Sequence, residues 1–271
     1  MDDWLGNPAV QAGVAPFVVA LLLSAALART RFLALAQVGG FAILAYLAIG
    51  LNFESLSSTK KLALVGFATA LLVVGLERFG QFNKGMIALV VAVLAAATLW
   101  VAWRLLAQQE MGPAAIRAIL AIAYVGLLVA ATLYVSRDPV AGAAAGLMLG
   151  LGTGALAVLG ASALLGVVGI SAGAAAGATL LVQMVRSRAA PAGWTISLPA
   201  STLSALAGVL AVLSASLPWY ALVPLLAAPW ATRLVPEAVQ KVWLRAFLCA
   251  LAALVPVLAA IAVAWAWPNA S

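Results

Sequence analysis

The residues best suited to binding chemistry lie in one polar stretch, 52–61, between two apolar segments. Its candidate ligand-binding residues are Glu54, Ser57, Ser58, Thr59, Lys60 and Lys61. Hydroxyls and lysines at the first turn of a helix can bind a phosphate or an anionic lipid headgroup, because the free backbone N–H groups there point the same way. The alternative is structural, since serine and threonine are also residue types that cap the start of a helix.

Few residues in this chain could carry out catalysis. It contains no histidine, the most common general base and metal ligand. Its single cysteine, Cys249, lies in an apolar run and is expected to be a buried structural thiol. The acidic residues lie at the ends of apolar segments or between them: Asp2, Asp3, Glu54, Glu77, Glu110, Asp138 and Glu237. A proton or sodium relay needs charge within the membrane, and acid–base catalysis needs positioned groups. We therefore expect no catalytic residue, cofactor or metal site, and these features favour a non-enzymatic protein over a membrane enzyme.

The composition predicts the fold class. The 271 residues are 66% hydrophobic and only 8% charged, which fits no soluble globular class. About 20 apolar residues cross a bilayer as a helix. We predict an all-α, polytopic integral membrane helical bundle over 1–271, a single transmembrane domain with no soluble domain. The predicted transmembrane segments are 9–28, 32–51, 62–76, 86–107, 114–135, two within 139–185, 199–217, 219–232 and 246–267.

The ninth segment, 219–232, is short and rich in proline. Pro218, Pro224 and Pro229 are candidates for a broken helix. Proline lacks a backbone N–H, so it frees carbonyl groups that can line a substrate site in transporters. The segment either crosses the membrane, giving ten transmembrane helices, or re-enters it, giving nine. A plain kink is the structural alternative.

Glycine spacing marks the uncharged stretch 139–185 as a packing device. The recurring glycines, four residues apart within each run, are Gly142, Gly146, Gly150, Gly154, Gly169, Gly173 and Gly177. Residues four apart share a helix face, and small residues let membrane helices approach closely. We predict a tight helical hairpin of the glycine-zipper type, with its turn near 160–162.

Basic residues predict the orientation of the segments. With the N-terminus outside, ten of the 14 basic residues lie on the inner side, as the positive-inside rule requires. The four outer ones are Lys60, Lys61, Arg104 and Arg117. The acidic N-terminus is unlike a signal peptide, and long helical segments are typical of inner rather than outer membranes. These features predict a multi-pass protein of the bacterial inner (plasma) membrane.

An internal repeat is a further hypothesis. An offset of 157 residues aligns Arg29 with Arg186 and Lys84 with Lys241, and places segments one to four near segments seven to ten in the same orientation. Repeats of this parallel kind occur in transporters. The alternative is that basic residues cluster at inner ends in any such protein.

Three functions fit these patterns. A small permease or flippase-like transporter for a neutral or lipid-like substrate is favoured by the number of segments and the proline-broken segment. The alternative is a non-catalytic structural or assembly subunit of a membrane protein complex, which flat glycine faces and short loops favour. A membrane enzyme comes third. The expected partners are the lipid bilayer and either another membrane protein or a second copy of the chain. No nucleic acid is expected, because the basic residues are scattered.

Overall fold

The computed structural model describes residue 7 and residues 10–27, 33–49, 56–76, 83–190, 193–214 and 217–266. Every regular element in these residues is a helix, which confirms the all-α class. The helices are α1 Val10–Leu27, α2 Ala34–Leu44, α3 Ser58–Leu76, α4 Lys84–Leu106, α5 Met111–Val135, α6 Pro139–Leu159, α7 Ala163–Arg186, α8 Trp194–Ser214, α9 Ala228–Ala231 and α10 Val242–Ala266. A π-helical turn, Val10–Val14, opens α1, and another, Ala45–Ile49, extends α2.

The surface of the bundle is apolar where a soluble protein would be polar. Eight helices in the described ranges are long and apolar enough to cross a membrane. On α10, Phe247, Leu251, Val255 and Leu258 share one face and are 49–66% exposed. Burying a side chain of this size away from water is worth about 1.5–3 kcal/mol, so these faces favour a hydrocarbon environment. The helices therefore fit a multi-pass membrane protein.

Helix α8 lies at the centre of the bundle. It packs against α2, α3, α4, α5, α6 and α7, and residues 194–211 are all buried. The predicted start of this helix at Pro199 is wrong, because the helix begins at Trp194 and Pro199 lies inside it. Proline is common at the first position of a helix, but in α8 the burial on all sides holds a longer helix together. The first turn of α3 was likewise missed, since that helix begins at Ser58 rather than at residue 62.

Helices α6 and α7 form the predicted hairpin and share the most extensive helix–helix contact. The turn lies at 160–162, as predicted, and Ala161 has a left-handed backbone conformation with a φ of 64°. The N–H of Ser162 donates to the carbonyl of Ala157 over 2.9 Å. This bond closes the end of α6 in the manner of a Schellman motif.

The two arms of the hairpin touch backbone to backbone at four glycines. A Cβ atom at Gly150 would overlap the backbone of Gly173. One at Gly169 would lie 2.6 Å from the backbone nitrogen of Gly154. One at Gly173 would lie 2.8 Å from the carbonyl oxygen of Leu147. Real Cβ atoms essentially never approach other atoms under 3.0 Å, so no larger residue fits here with the backbone in place.

The ninth segment, 219–232, is not one continuous helix, which agrees with the expectation of a helix broken at its prolines. It consists of the 3-10 turns Trp219–Ala221 and Val223–Ala227, the single α-helical turn α9 and the 3-10 turn Thr232–Leu234. We call residues 217–234 the broken segment. Proline at 224 and 229 cannot donate a helical hydrogen bond, so the regular α-helix is interrupted repeatedly.

The broken segment runs along the whole of α6. Leu217 lies beside Gly160 at one end, since a Cβ there would be 3.0 Å from the Cβ of Leu217. Leu225 packs beside Gly152, halfway along α6. At the other end the Trp230 ring lies 5.3 Å from the Tyr134 ring, close to the start of α6. A 3-10 helix rises about 2 Å per residue, so about 15 residues can cover the roughly 30 Å of a bilayer core.

Candidate functional site

The predicted polar site before α3 is organised as a helix cap. The Ser57 hydroxyl accepts a hydrogen bond from the backbone N–H of Lys60 at 3.3 Å. Lys61 reaches α4, where its Nζ donates to the carbonyl of Trp100 at 3.1 Å and lies 5.2 Å from the indole ring. Glu54 lies outside the described residues. The structure thus gives Ser57 and Lys61 structural roles, and anion binding by this stretch stays a prediction.

The three predicted prolines are distributed along the broken segment. Pro218 precedes its first turn, whereas Pro224 and Pro229 lie in the first turns of the helices that follow. The carbonyl of Pro229 accepts a hydrogen bond from the Thr232 hydroxyl at 2.7 Å, and the carbonyl of Thr232 lies 3.7 Å from the Cys249 sulfur on α10. The carbonyl groups of Pro229 and Thr232 therefore already have partners within the protein. A substrate role for the prolines stays a prediction.

Buried polar side chains join α1, α2 and α7. The hydroxyls of Ser24 and Thr179 lie 3.0 Å apart, and Gln37 Nε2 donates to the Thr179 hydroxyl at 3.2 Å. Gln37 therefore makes a hydrogen bond between helices. Gln183 bonds locally, since its Oε1 accepts from the backbone N–H of Ala190, just beyond its own helix, at 3.1 Å. No sequence pattern indicated that three distant residues would meet at one hydroxyl.

Three further buried hydroxyls lie between α6 and α8. Thr153, Ser197 and Ser204 are 0% exposed, and their hydroxyl oxygens have no hydrogen-bond partner in the described part of the chain. The Ser197 backbone lies 3.9 Å from the Cβ position of Gly146 on α6, and the Thr153 methyl lies 3.5 Å from the Cβ position of Gly208 on α8. We call these three residues the hydroxyl seam.

The seam follows the helix axes. Ser197 and Ser204 are seven residues apart, two turns along one face of α8. Thr153 lies seven residues after Gly146 on α6, so the seam extends along the α6–α8 contact. Tyr124 on α5 and Thr202 on α8 also carry buried hydroxyls without a partner in these residues.

The seam differs from the buried hydroxyls that bond to their own helices. Thr98 and Thr132 donate to carbonyls of their own helices at 2.7 Å, and Ser201 does so at 3.1 Å. That is the usual arrangement in membrane helices. A buried hydroxyl left without a partner costs about 1–3 kcal/mol. Such a group can both donate and accept, so the seam offers uncharged hydrogen bonding inside an otherwise apolar bundle. No sequence pattern distinguishes the seam hydroxyls from those that bond to their own helix.

One ion pair fixes the start of the hairpin. Arg245 Nη2 on α10 lies 2.8 Å from Asp138 Oδ2. The other carboxylate oxygen, Oδ1, caps α6 by accepting from the N–H of Val140 at 3.1 Å. Nearby, the guanidinium groups of Arg137 and Arg233 lie 5.0 and 5.3 Å from the centre of one aromatic ring, that of Tyr134. These contacts tie α5, α6, the broken segment and α10 together at one end of the bundle.

The chemistry that the seam residues offer is uncharged hydrogen bonding. Within the described ranges, no group of three or more histidine, cysteine, aspartate or glutamate side chains could hold a metal ion. Comparison with known protein families, curated proteins and solved structures finds no match for this chain. The proposals below therefore stand on the residues and their contacts.

Proposed function

We propose that the protein is a small inner-membrane permease or flippase-like transporter for a neutral, lipid-like substrate. The hydroxyl seam is the observation that carries this proposal. It supplies hydrogen-bond donors and acceptors along the α6–α8 contact, and residues 139–185 contain no charge. A charged substrate would lose its hydration without gaining an opposite charge there, which is very unfavourable in an apolar medium. A neutral molecule with hydroxyl or ester groups needs only the uncharged partners that the seam provides.

In this proposal the chain crosses the membrane ten times. The eight long helices, α2 with its extension and the broken segment account for the crossings. The path of the broken segment along the whole of α6 supports crossing over re-entry. Both termini then lie outside, with most basic residues inside. A C-terminal alkaline phosphatase fusion should be active and the matching green fluorescent protein fusion dark. The reverse pattern would contradict the ten-crossing topology.

The parallel repeat stays a prediction. It pairs α3, which is a continuous helix, with the broken segment, so the two differ in backbone structure. Superposition of the first four crossings on the last four tests it. Different helix arrangements in the two sets would contradict the repeat without affecting the transport proposal.

Transport can be tested in proteoliposomes with a fluorescent lipid. Phosphatidylcholine labelled with nitrobenzoxadiazole has no net charge, and dithionite quenches only the label in the outer leaflet. We expect purified protein to raise the quenched fraction above the roughly one half seen in protein-free vesicles. A glycerol-swelling assay on the same vesicles covers small neutral solutes. If the protein raises neither lipid movement between leaflets nor glycerol entry above the protein-free level, the proposal is wrong.

Variants in the seam make the test specific. Combining Ser197→Ala and Ser204→Ala removes two buried hydroxyls that have no partner among the described residues, so transport should fall while stability is kept or raised. Ser201→Ala is the matched control, because this hydroxyl is equally buried on α8 but is bonded to the carbonyl of Leu198. If the double variant and the control transport the substrate equally well, the seam takes no part in transport.

The alternative is a non-catalytic subunit of a membrane complex. The backbone contact between α6 and α7 favours it, since a hairpin packed this closely is suited to a rigid scaffold. In that case gentle extraction and affinity purification should yield a membrane protein at a fixed ratio to this chain. Cross-linking should in turn reveal a defined homo-oligomer if the partner is a second copy.

A further inference from the structure

A cleft of about 440 Å³ opens at the end of α7. Its walls combine apolar residues with polar and basic ones. The residues that matter for binding are Leu33, Thr179, Val182, Gln183, Arg186 and Arg188. Thr179 and Gln183 lie at the buried end of this set, at 1% and 3% exposure, whereas both arginines are exposed. The cleft therefore has a buried polar floor, formed by Thr179 and Gln183, and a basic mouth, formed by Arg186 and Arg188.

The floor of the cleft carries a free hydrogen-bond donor. Gln183 Oε1 is held by the backbone N–H of Ala190 at 3.1 Å, which fixes the orientation of the side-chain amide. Its Nε2 has no acceptor within the described residues, although the side chain is almost fully buried. Leaving a buried amide donor without a partner is costly. A ligand oxygen in the cleft would satisfy it.

The mouth of the cleft is set by the turn that ends α7. Ser187 has a left-handed backbone with a φ of 49°, and the N–H of Arg188 bonds back to the Gln183 carbonyl at 3.2 Å. Arg186 Nη2 donates to the carbonyl of Ala25 on α1 at 2.7 Å, which holds this guanidinium beside the cleft. The last carbonyls of α7 are thus partly capped. The end of a helix carries roughly half a negative charge, which the full positive charges of Arg186 and Arg188 outweigh.

Donors dominate the described lining of the cleft. Among the described residues that line it, none is acidic, and the Thr179 hydroxyl already bonds to Ser24 and Gln37. We propose that the cleft binds a negatively charged phosphate group, with Gln183 Nε2 and the two arginines as donors. Arginine suits this ligand because its planar donors match phosphate oxygens in pairs.

The phosphate could belong to a lipid or be free in solution. Arg186 directly follows the uncharged stretch 139–185, at the level where an apolar segment ends and headgroups begin. Leu33 and Val182 add apolar walls next to the donors, which suits the glycerol region of a phospholipid. This binding site does not depend on the transport proposal, since a lipid can occupy it without being moved.

The test uses the full-length protein in a neutral detergent. Thermal stability is measured after addition of phosphatidylglycerol, phosphatidylcholine or inorganic phosphate, and bound lipids are counted by native mass spectrometry. We expect phosphatidylglycerol to raise the melting temperature and to bind in preference to phosphatidylcholine. A rise with inorganic phosphate alone would assign the site to a free anion. If neither phosphate source binds, the proposal is wrong.

Two variants connect binding to the cleft. Arg188→Gln removes an exposed charge with little risk to folding, and Gln183→Met removes the buried donor. Each should weaken phosphatidylglycerol binding about tenfold, as expected for a lost hydrogen bond to a charged group. Arg117→Gln, an exposed arginine on α5 away from the cleft, is the matched control and should bind normally. Equal binding by all three variants would overturn the assignment, because the lipid would then interact with basic residues in general.

Discussion

The backbone contact between α6 and α7 makes Gly150→Ala a sensitive test of how this bundle is held together. The new methyl group would overlap the backbone nitrogen and Cα of Gly173 and lie 2.8 Å from the carbonyl oxygen of Gly169. Carbon atoms pack best at about 3.5–4.0 Å from their neighbours. All three obstacles are backbone atoms, so no side-chain rotation relieves the overlap and the two helices must move apart.

The size of the effect follows from that separation. A gap of 0.5–1 Å forfeits about a quarter to a half of each dispersion contact along an interface, and overpacking a core typically costs about 1–3 kcal/mol. Because the obstacles are rigid, we expect a loss near the upper end, about 3 kcal/mol. For a chain of this size that corresponds to a melting temperature lower by roughly 6–12 °C.

Two other glycines provide a graded control. A Cβ at Gly146 would lie 3.2 Å from the Cβ of Ala200, so Gly146→Ala should cost about 1 kcal/mol. A Cβ at Gly126, in the middle of α5, would make an ordinary contact of 3.4 Å with Val91. Gly126→Ala should therefore be neutral or slightly stabilising. Thermal unfolding in detergent, followed by loss of the monodisperse peak, gives the ranking. Equal melting of the Gly150 and Gly126 variants would refute the packing argument.

Three further predictions concern polar contacts. Thr179→Val removes the bonds from α1 and α2 and should cost about 1 kcal/mol, whereas Thr98→Val loses only a bond within α4 and should melt within a few degrees of wild type. A double-mutant cycle of Asp138→Asn and Arg245→Gln should show a coupling of about 1 kcal/mol, and additive effects would mean that the ion pair contributes nothing. Ser204→Ala should keep or raise the melting temperature, and a clear fall would show that this hydroxyl is bonded in the native protein.

Local patterns in the sequence predicted the hairpin well. The uncharged stretch 139–185 is long enough for two apolar segments, and the small residues at 160–162 indicated the turn between them. Both signals act within a few residues, and the structure follows them. The α8 boundary failed because Pro199 resembles a helix start, while the burial that extends the helix back to Trp194 comes from distant elements.

Contacts between remote residues carried no signal in the sequence. The pair of Asp138 and Arg245 joins positions that look like ordinary loop and helix-end charges. The cleft likewise depends on the amide of Gln183 being turned by Ala190, which only the folded loop specifies. The hydroxyl seam could not be foreseen, because serine and threonine in membrane helices usually bond to their own backbone.

The position of α8 has a consequence for synthesis. Its main partners, α2 to α7, all precede it in the chain, whereas α10 packs mainly on α6 and the broken segment. A ribosome therefore delivers α8 after the six helices that surround it, and they must leave a central slot open until it arrives. A nascent chain that stops before residue 194 would expose polar and glycine faces to lipid.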